Sequence, residues 1–229
     1  MSGFDCFPPE TAAFLSGIAE HNDKAWFEGH RPLYEAGYVS PARAFVEEMG
    51  PRLREFARGV QYDPRINGSI SRVNRDTRFS RDKRLYKDHL DLWFWHGEKK
   101  GWTQPGFFMR LTAEDVWIGA GMHHFEEDLL TRYRNAVVDD HAGEALRAAI
   151  REVQAAGDYQ VGGMPRKRVP RGYDKASPRA EYLLWESLPA LTRMPISAAL
   201  APGFVDTALR HFRNTWPIAR WLLEEVTEG

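Results

Sequence analysis

Apolar residues recur at helical intervals along the first third of the chain. Phe14, Leu15 and Ile18 share one face of a segment opened by Pro8-Pro9-Glu10, and Asn22 is placed to cap a second short helix carrying Trp26 and Phe27. Ser40-Pro41 repeats the start signal for a helix bearing Phe45, Met49, Leu53 and Phe56, with Gly50-Pro51 as a kink or break. From Asp63 the texture changes. Asp63-Pro64 and Asn67-Gly68 signal turns, and the apolar positions shift toward the two-residue alternation of strands. Strands are predicted over residues 69–73, 90–95, 106–112 and 115–121, with connections at His96-Gly97 and Gly101, and the last two strands form a hairpin. Helical spacing returns with Phe125, Leu129, Tyr133 and Val137, then with Leu146, Ile150 and Val153. The chain closes on a stripe of Phe204, Ala208 and Phe212 and on a last helix opened by Pro217 that presents Ile218, Trp221 and Leu222. The fold class that follows is α+β: a single domain over residues 1–229, with a mainly antiparallel central sheet flanked by N-terminal and C-terminal helices.

Composition changes this picture little. At 229 residues, 43% hydrophobic and 28% charged, the chain is long enough to bury a sizeable core and shows neither the composition of disorder nor a repeat. Eight Trp, eight Tyr and thirteen Phe supply many large flat groups, and most of them must serve packing. The lone Cys6 excludes an internal disulfide and a cysteine-rich zinc site, which fits a reducing compartment. No apolar run reaches the ~18 residues of a membrane span, and the N-terminus lacks a basic region followed by an apolar one. A cytoplasmic location and no membrane partner are expected.

Net charge is −1, so an argument for an anionic partner must rest on where the basic residues cluster. They cluster between residues 72 and 87. Arg72, Arg75, Arg78, Arg81, Arg84 and Lys87 recur every three residues, yet they cannot form one stripe. A step of three drifts by about 60° around a helix and changes faces in a strand. Asp76 and Asp82 are natural partners for those that turn inward. The same residues suit a ligand, because arginine offers a fixed fork for phosphate or carboxylate and lysine a mobile point charge. Phe79 and Tyr86 offer flat stacking surfaces, and Thr77 and Ser80 offer hydroxyls. Neither a Walker-type glycine loop nor a Rossmann fingerprint accompanies them. Arg78, between Asp76 and Phe79, is read either as a ligand contact or as the counter-charge of a buried Asp76. A second basic run, Arg166-Lys-Arg-Val-Pro-Arg-Gly-Tyr173, could close over the first, or be a solvated loop.

The stretch Arg75-Asp-Thr-Arg-Phe-Ser-Arg-Asp-Lys followed by Tyr86-Lys87 resembles a bacterial family catalogued as domain-of-unknown-function family 2461. The resemblance extends over nearly the whole chain, through Phe14-Leu15, Asn22, Lys24, Trp26-Phe27, Arg31 and Tyr34, then Pro105-Gly106, Gly119 to Met122, and Pro170-Arg-Gly-Tyr-Asp174. It departs at Leu85, His21 and His123-His124, where the family pattern carries other residues. The family has no settled activity, so the resemblance implies unity of fold rather than a reaction.

Other chemistries are weakly signalled. His123-His124-Phe-Glu126-Glu127-Asp128 is dense in metal-ligand types, but adjacent histidines in a strand point to opposite faces, and no His-Glu-x-x-His spacing occurs. No Gly-x-Ser-x-Gly elbow is present. The reading is therefore a protein that binds a phosphorylated or otherwise anionic small molecule through Arg72, Arg75, Arg78, Lys83, Tyr86 and Lys87, assisted by Arg168 and Arg171, with no cofactor named. The alternatives are an enzyme on a phosphate-containing substrate using Asp76 or Asp82, and a basic-faced protein meeting nucleic acid or an acidic partner. Oligomeric state is left open.

Overall fold

The computed structural model of the chain describes residues 3–78, 82–98, 103–163 and 165–227. Phe79, Ser80, Arg81 and Gly101, invoked above, lie outside the described residues. Helix α1, Pro9–Glu20, buries Phe14, Leu15 and Ile18 as its spacing predicts. Helix α2, Lys24–Gly29, is capped by Asp23, whose carboxylate accepts the Trp26 N–H at 2.9 Å, and not by Asn22. Asn22 is engaged elsewhere: its amide oxygen accepts the Tyr86 N–H at 2.9 Å, while its Nδ2 donates to the carbonyls of Tyr86 and Ile18 at 3.0 and 3.1 Å.

Helix α3, Arg31–Tyr34, runs through a π-turn at Glu35–Val39 into α4, Ser40–Arg54. Ser40-Pro41 is thus no fresh start. The N–H that Pro41 lacks falls beside the π-turn, where the hydrogen-bond ladder has already shifted register. Pro51 likewise sits inside α4, which continues to Arg54.

Strands β1 (Leu90–Trp95), β2 (Gly106–Leu111) and β3 (Asp115–Met122) lie where alternation placed them, and the Thr112 N–H donating to the Asp115 carbonyl closes the β2–β3 hairpin. Two further strands, β4 (Gln160–Val161) and β5 (Leu188–Pro195), complete a five-stranded antiparallel sheet in the order β1-β2-β3-β5-β4, with Gln160 opposite Leu191. Residues 69–73 do not form the expected strand. Among the described residues isolated bridges, Ile66 to Ile70, Ile70 to Leu92 and, just beyond, Asn74 to Tyr86, tie this segment to its neighbours. Side chains replace ladder bonds here: the Tyr38 hydroxyl donates to the Ser71 carbonyl at 2.9 Å, and the Ser71 hydroxyl accepts the Asp91 N–H of β1 at 3.2 Å. The β3–β5 pairing depends on a missing side chain, since a Cβ on Gly119 would stand 1.9 Å from the Ala190 carbonyl oxygen.

Helices α5 (Glu127–Val138) and α6 (Asp140–Ala155) follow β3, and Asp139 caps α6 by accepting from the N–H groups of His141 and Ala142. After the short α7, Ile196–Ala199, helix α8 spans Phe204–Leu222 without interruption. Pro217 therefore continues a helix rather than opening one. Burial of Ile218, Ala219, Trp221 and Leu222 beyond it offsets the hydrogen bond that proline removes.

The chain divides into two compact units. The first comprises residues up to Phe94 with Phe108–Ile118 and Arg193–Arg210. Its core is aromatic: Phe7 packs on Phe4, Phe45 and Phe204 with ring centres 5.1, 5.6 and 5.9 Å away, and Phe14 meets Tyr38 edge-on. The second comprises Trp95–Phe107, Gly119–Thr192 and residues from His211 onward. There Tyr133 stacks on Phe125 at 4.7 Å and meets Trp221 edge-on, and the Trp221 indole donates to the Ala142 carbonyl. Among the described residues no helix is long and apolar enough to cross a membrane.

Candidate anion-binding site

The basic run folds back on itself in the first unit. The Arg75 N–H donates to the Leu85 carbonyl at 2.9 Å and the Lys87 N–H to the Val73 carbonyl at 2.7 Å, so residues 73–75 and 85–87 run side by side. This places Lys87 among Arg72, Arg75 and Arg110 and beside the carboxylate of Asp91, 3.9 Å from its Nζ. Burial pushes the Lys87 ammonium down from its ordinary pKa, and the charges of Arg110, Arg72 and Arg75 push it further against the opposing pull of Asp91.

Asp91 is the anchor of this cluster. It lies second in β1, in the run Leu-Asp-Leu-Trp-Phe-Trp, and its side chain is only 4% exposed. Arg110 on β2 grips it with both ends of the guanidinium fork, Nε to Oδ1 at 2.6 Å and Nη2 to Oδ2 at 3.1 Å. His89 places one ring nitrogen 3.3 Å from Asp91 and the other 2.8 Å from Asp88. Burial works to raise the Asp91 pKa, but the hydrogen bonds from His89 and Arg110 and their charges hold it at about 2. A carboxylate this deep is kept ionised only by such partners.

The remaining predicted residues divide by what holds them. Arg75 pairs with Asp82 at 2.9 Å, and Arg84 bridges Asp82 and Asp88, each at 2.9 Å. Lys83 donates to the Thr77 carbonyl. Tyr86 is 5% exposed, its ring stacked 4.6 Å from Phe27, so that face is taken by the core. Arg72 is exposed and makes no hydrogen bond or ion pair among the described residues. Five cationic side chains, Arg72, Arg75, Arg84, Lys87 and Arg110, thus surround three carboxylates, Asp82, Asp88 and Asp91.

Arg78 folds onto Asp76, with Nη2 to Oδ2 at 2.6 Å and its own N–H on the same carboxylate at 3.1 Å. Both side chains are well exposed, so no carboxylate is buried there. Hydrogen bonds from Arg78 hold Asp76 far below the usual carboxylate range, and those from Arg84 hold Asp82 at about 2. Carboxylates held so low are weak general bases at neutral pH. Arg78→Ala is expected to melt within about 2 °C of the parent, because exposed pairs contribute little. A much larger drop in a thermal melt would mean that Arg78 supports more than its neighbour.

Arg166, Arg168 and Arg171 belong to the second unit. Arg166 donates to Glu186 at 2.6 Å, and Arg168 is exposed. Arg171, Gly172 and Tyr173 border an open depression of about 690 Å³ with Asn135 and Val138. Among the described residues no group of three His, Cys, Asp or Glu side chains gathers to hold a metal ion.

Sequence spacing missed His89, Asp91 and Arg110. A readable signal was available for Asp91: one carboxylate inside an otherwise apolar strand is costly unless paired, so its presence asks for a cation on the adjoining strand.

Fold and cluster together define an α+β protein with a cationic patch built around a buried carboxylate. The chain belongs to the family described as conserved hypothetical protein DUF2461, whose profile matches residues 10–221. A search among curated proteins finds no match.

Proposed function

We propose that the first unit binds a small oxyanion-bearing molecule, phosphorylated or carboxylated, at the cluster of Arg72, Arg75, Lys87 and Arg110. The observation that carries this reading is the state of Lys87, a half-buried ammonium crowded by three guanidinium groups with Asp91 as its close counter-charge. An arriving anion relieves that crowding. Arg72, exposed at the rim, supplies a fork not committed to a carboxylate among the described residues. Arg78 and Lys83, folded onto Asp76 and Thr77, are left out of this cluster. The lone Cys6 supports action in a reducing, cytoplasmic setting.

The test is a thermal melt in inorganic phosphate, against sodium chloride of equal ionic strength. At a hundredfold excess over Kd, one-site binding adds about 2.7 kcal/mol, a rise of about 5–10 °C for a chain of this size. Lys87→Gln is expected to melt at or above the parent without anion, because a disfavoured charge is gone, and to show a clearly smaller rise than the parent. If phosphate lifts Lys87→Gln as far as the parent, the reading fails. Polyanion binding instead of small-anion binding would show as a steep loss of affinity for nucleic acid with added salt.

A further inference from the structure

Helix α5 carries two consecutive buried side chains of opposite character. Tyr133 is satisfied, its hydroxyl donating to the Tyr182 carbonyl at 2.9 Å. Arg134 is not: it is 8% exposed, and its Nε and Nη2 are shut off from solvent without an acceptor. These two nitrogens are adjacent on the guanidinium and donate in parallel. The same pair grips Asp63 from Arg65, Asp76 from Arg78 and Asp91 from Arg110 within this molecule. What is missing at Arg134 is therefore a group with two oxygens side by side.

Its surroundings do not provide one. Glu186 and Tyr173 are close enough for their charge to favour the guanidinium, but Arg166 already takes Glu186 at 2.6 Å and adds its own repulsion. Burial and then Arg166 push the Arg134 pKa down from its ordinary value. Two guanidinium groups thus share one carboxylate. Tyr173, which donates to Asn135 at 3.1 Å, also borders the 690 Å³ depression beside α5, to which Asn135, the residue after Arg134, contributes.

We propose that the second unit holds a separate anion site in which Arg134 clamps the two oxygens of a carboxylate or phosphate group, entered when Arg166 swings off Glu186 and turns to the same anion. The site stands on its own observations and does not rest on the cluster around Lys87. Arg171, on the same loop as Arg166, borders the neighbouring depression.

The experiment uses the full chain carrying Lys87→Gln, so that an anion held by the first unit does not enter the result. Inorganic phosphate and malonate are titrated separately at ionic strength held constant with sodium chloride. The readout is the Nε–Hε resonance of Arg134, identified by its loss in Arg134→Lys. A saturable shift of that resonance with either anion is the expected result, and which anion acts tells the ligand class. A resonance unmoved by both overturns the proposal. As a second measurement, Arg134→Met is melted with and without the two anions. It is expected to hold or gain stability in their absence and to lose the anion-dependent rise. A variant that melts lower yet responds as the parent does would make Arg134 a structural cation and end the inference.

Discussion

Asp91→Ala is expected to lower stability by about 3–5 kcal/mol, since removing one partner of a buried pair strands the charges that faced it. For a chain of this size that is a fall in melting temperature of about 6–20 °C. Arg110 would lose both oxygens of its fork, and His89 and Lys87 their shared counter-charge. The pH dependence follows from the same contacts. Asp91 has a folded pKa of about 2 against an ordinary 3.8. A depressed carboxylate contributes stability that is fully present above its unfolded pKa and lost as pH falls through the folded one. The parent should therefore lose about 2 kcal/mol from this residue between roughly pH 4 and pH 2. Asp91→Asn should show a correspondingly flatter acid limb in urea unfolding followed at several pH values. Equal acid limbs would mean that the carboxylate is not held ionised by its neighbours. Phosphate is expected to restore part of the loss in Asp91→Ala, because the cations left behind then form an anion site without a resident occupant.

The second large effect lies where Gly119 of β3 meets Ala190 of β5, both in the second unit. Gly119→Val should cost about 3 kcal/mol or more, seen as a lower urea midpoint and a melt reduced by about 6–12 °C. The obstacle is not side-chain crowding that repacking could absorb. The new Cβ would meet the backbone carbonyl of Ala190 on the paired strand, and the strands would have to part. Gly29 provides the contrast. It lies in α2 with nothing within 4 Å of its Cβ position, so Gly29→Ala should be neutral or stabilise by about 0.5–1 kcal/mol. If both substitutions cost the same, close approach is not what Gly119 provides.

These residues also show how far the sequence alone carried. Strands β1 to β3 were legible because short apolar runs bounded by turn residues are local properties, although their burial is nearly continuous rather than alternating. Strand β5 was not, since Leu188-Pro-Ala-Leu-Thr-Arg-Met-Pro195 has proline near both ends and no clean alternation, and its place between β3 and β4 is set by pairing with distant residues. Residues 69–73 were misread because their apolar residues, Ile70 and Val73, stand three apart rather than alternating, and because Tyr38 and Ser71 take up backbone groups that a ladder would have used. Start signals misled where packing overrode them, at Ser40-Pro41 and Pro217.

The basic run was visible by density, but its organisation was not. Charge density does not tell that Arg78 and Arg84 fold onto aspartates two residues away, that Tyr86 is given to the core, or that Lys87 is the member drawn inward. Nor does spacing reveal Arg110, which joins the cluster only through the register of β1 against β2. Arg134 carried no signal at all: a single arginine in an amphipathic helix reads as a surface residue until its burial is known.

Asn22 couples two parts of the first unit in a way that reaches the cluster. Its amide imitates one rung of a neighbouring strand, taking both the N–H and the carbonyl of Tyr86 while holding the Ile18 carbonyl in the last turn of α1. Fraying of that turn and release of the chain carrying Lys87 are then one cooperative opening rather than two. Substitutions in α1, remote from any anion, would alter apparent affinity by changing the population of the open state, and an anion held at Lys87 would reciprocally quiet the end of α1.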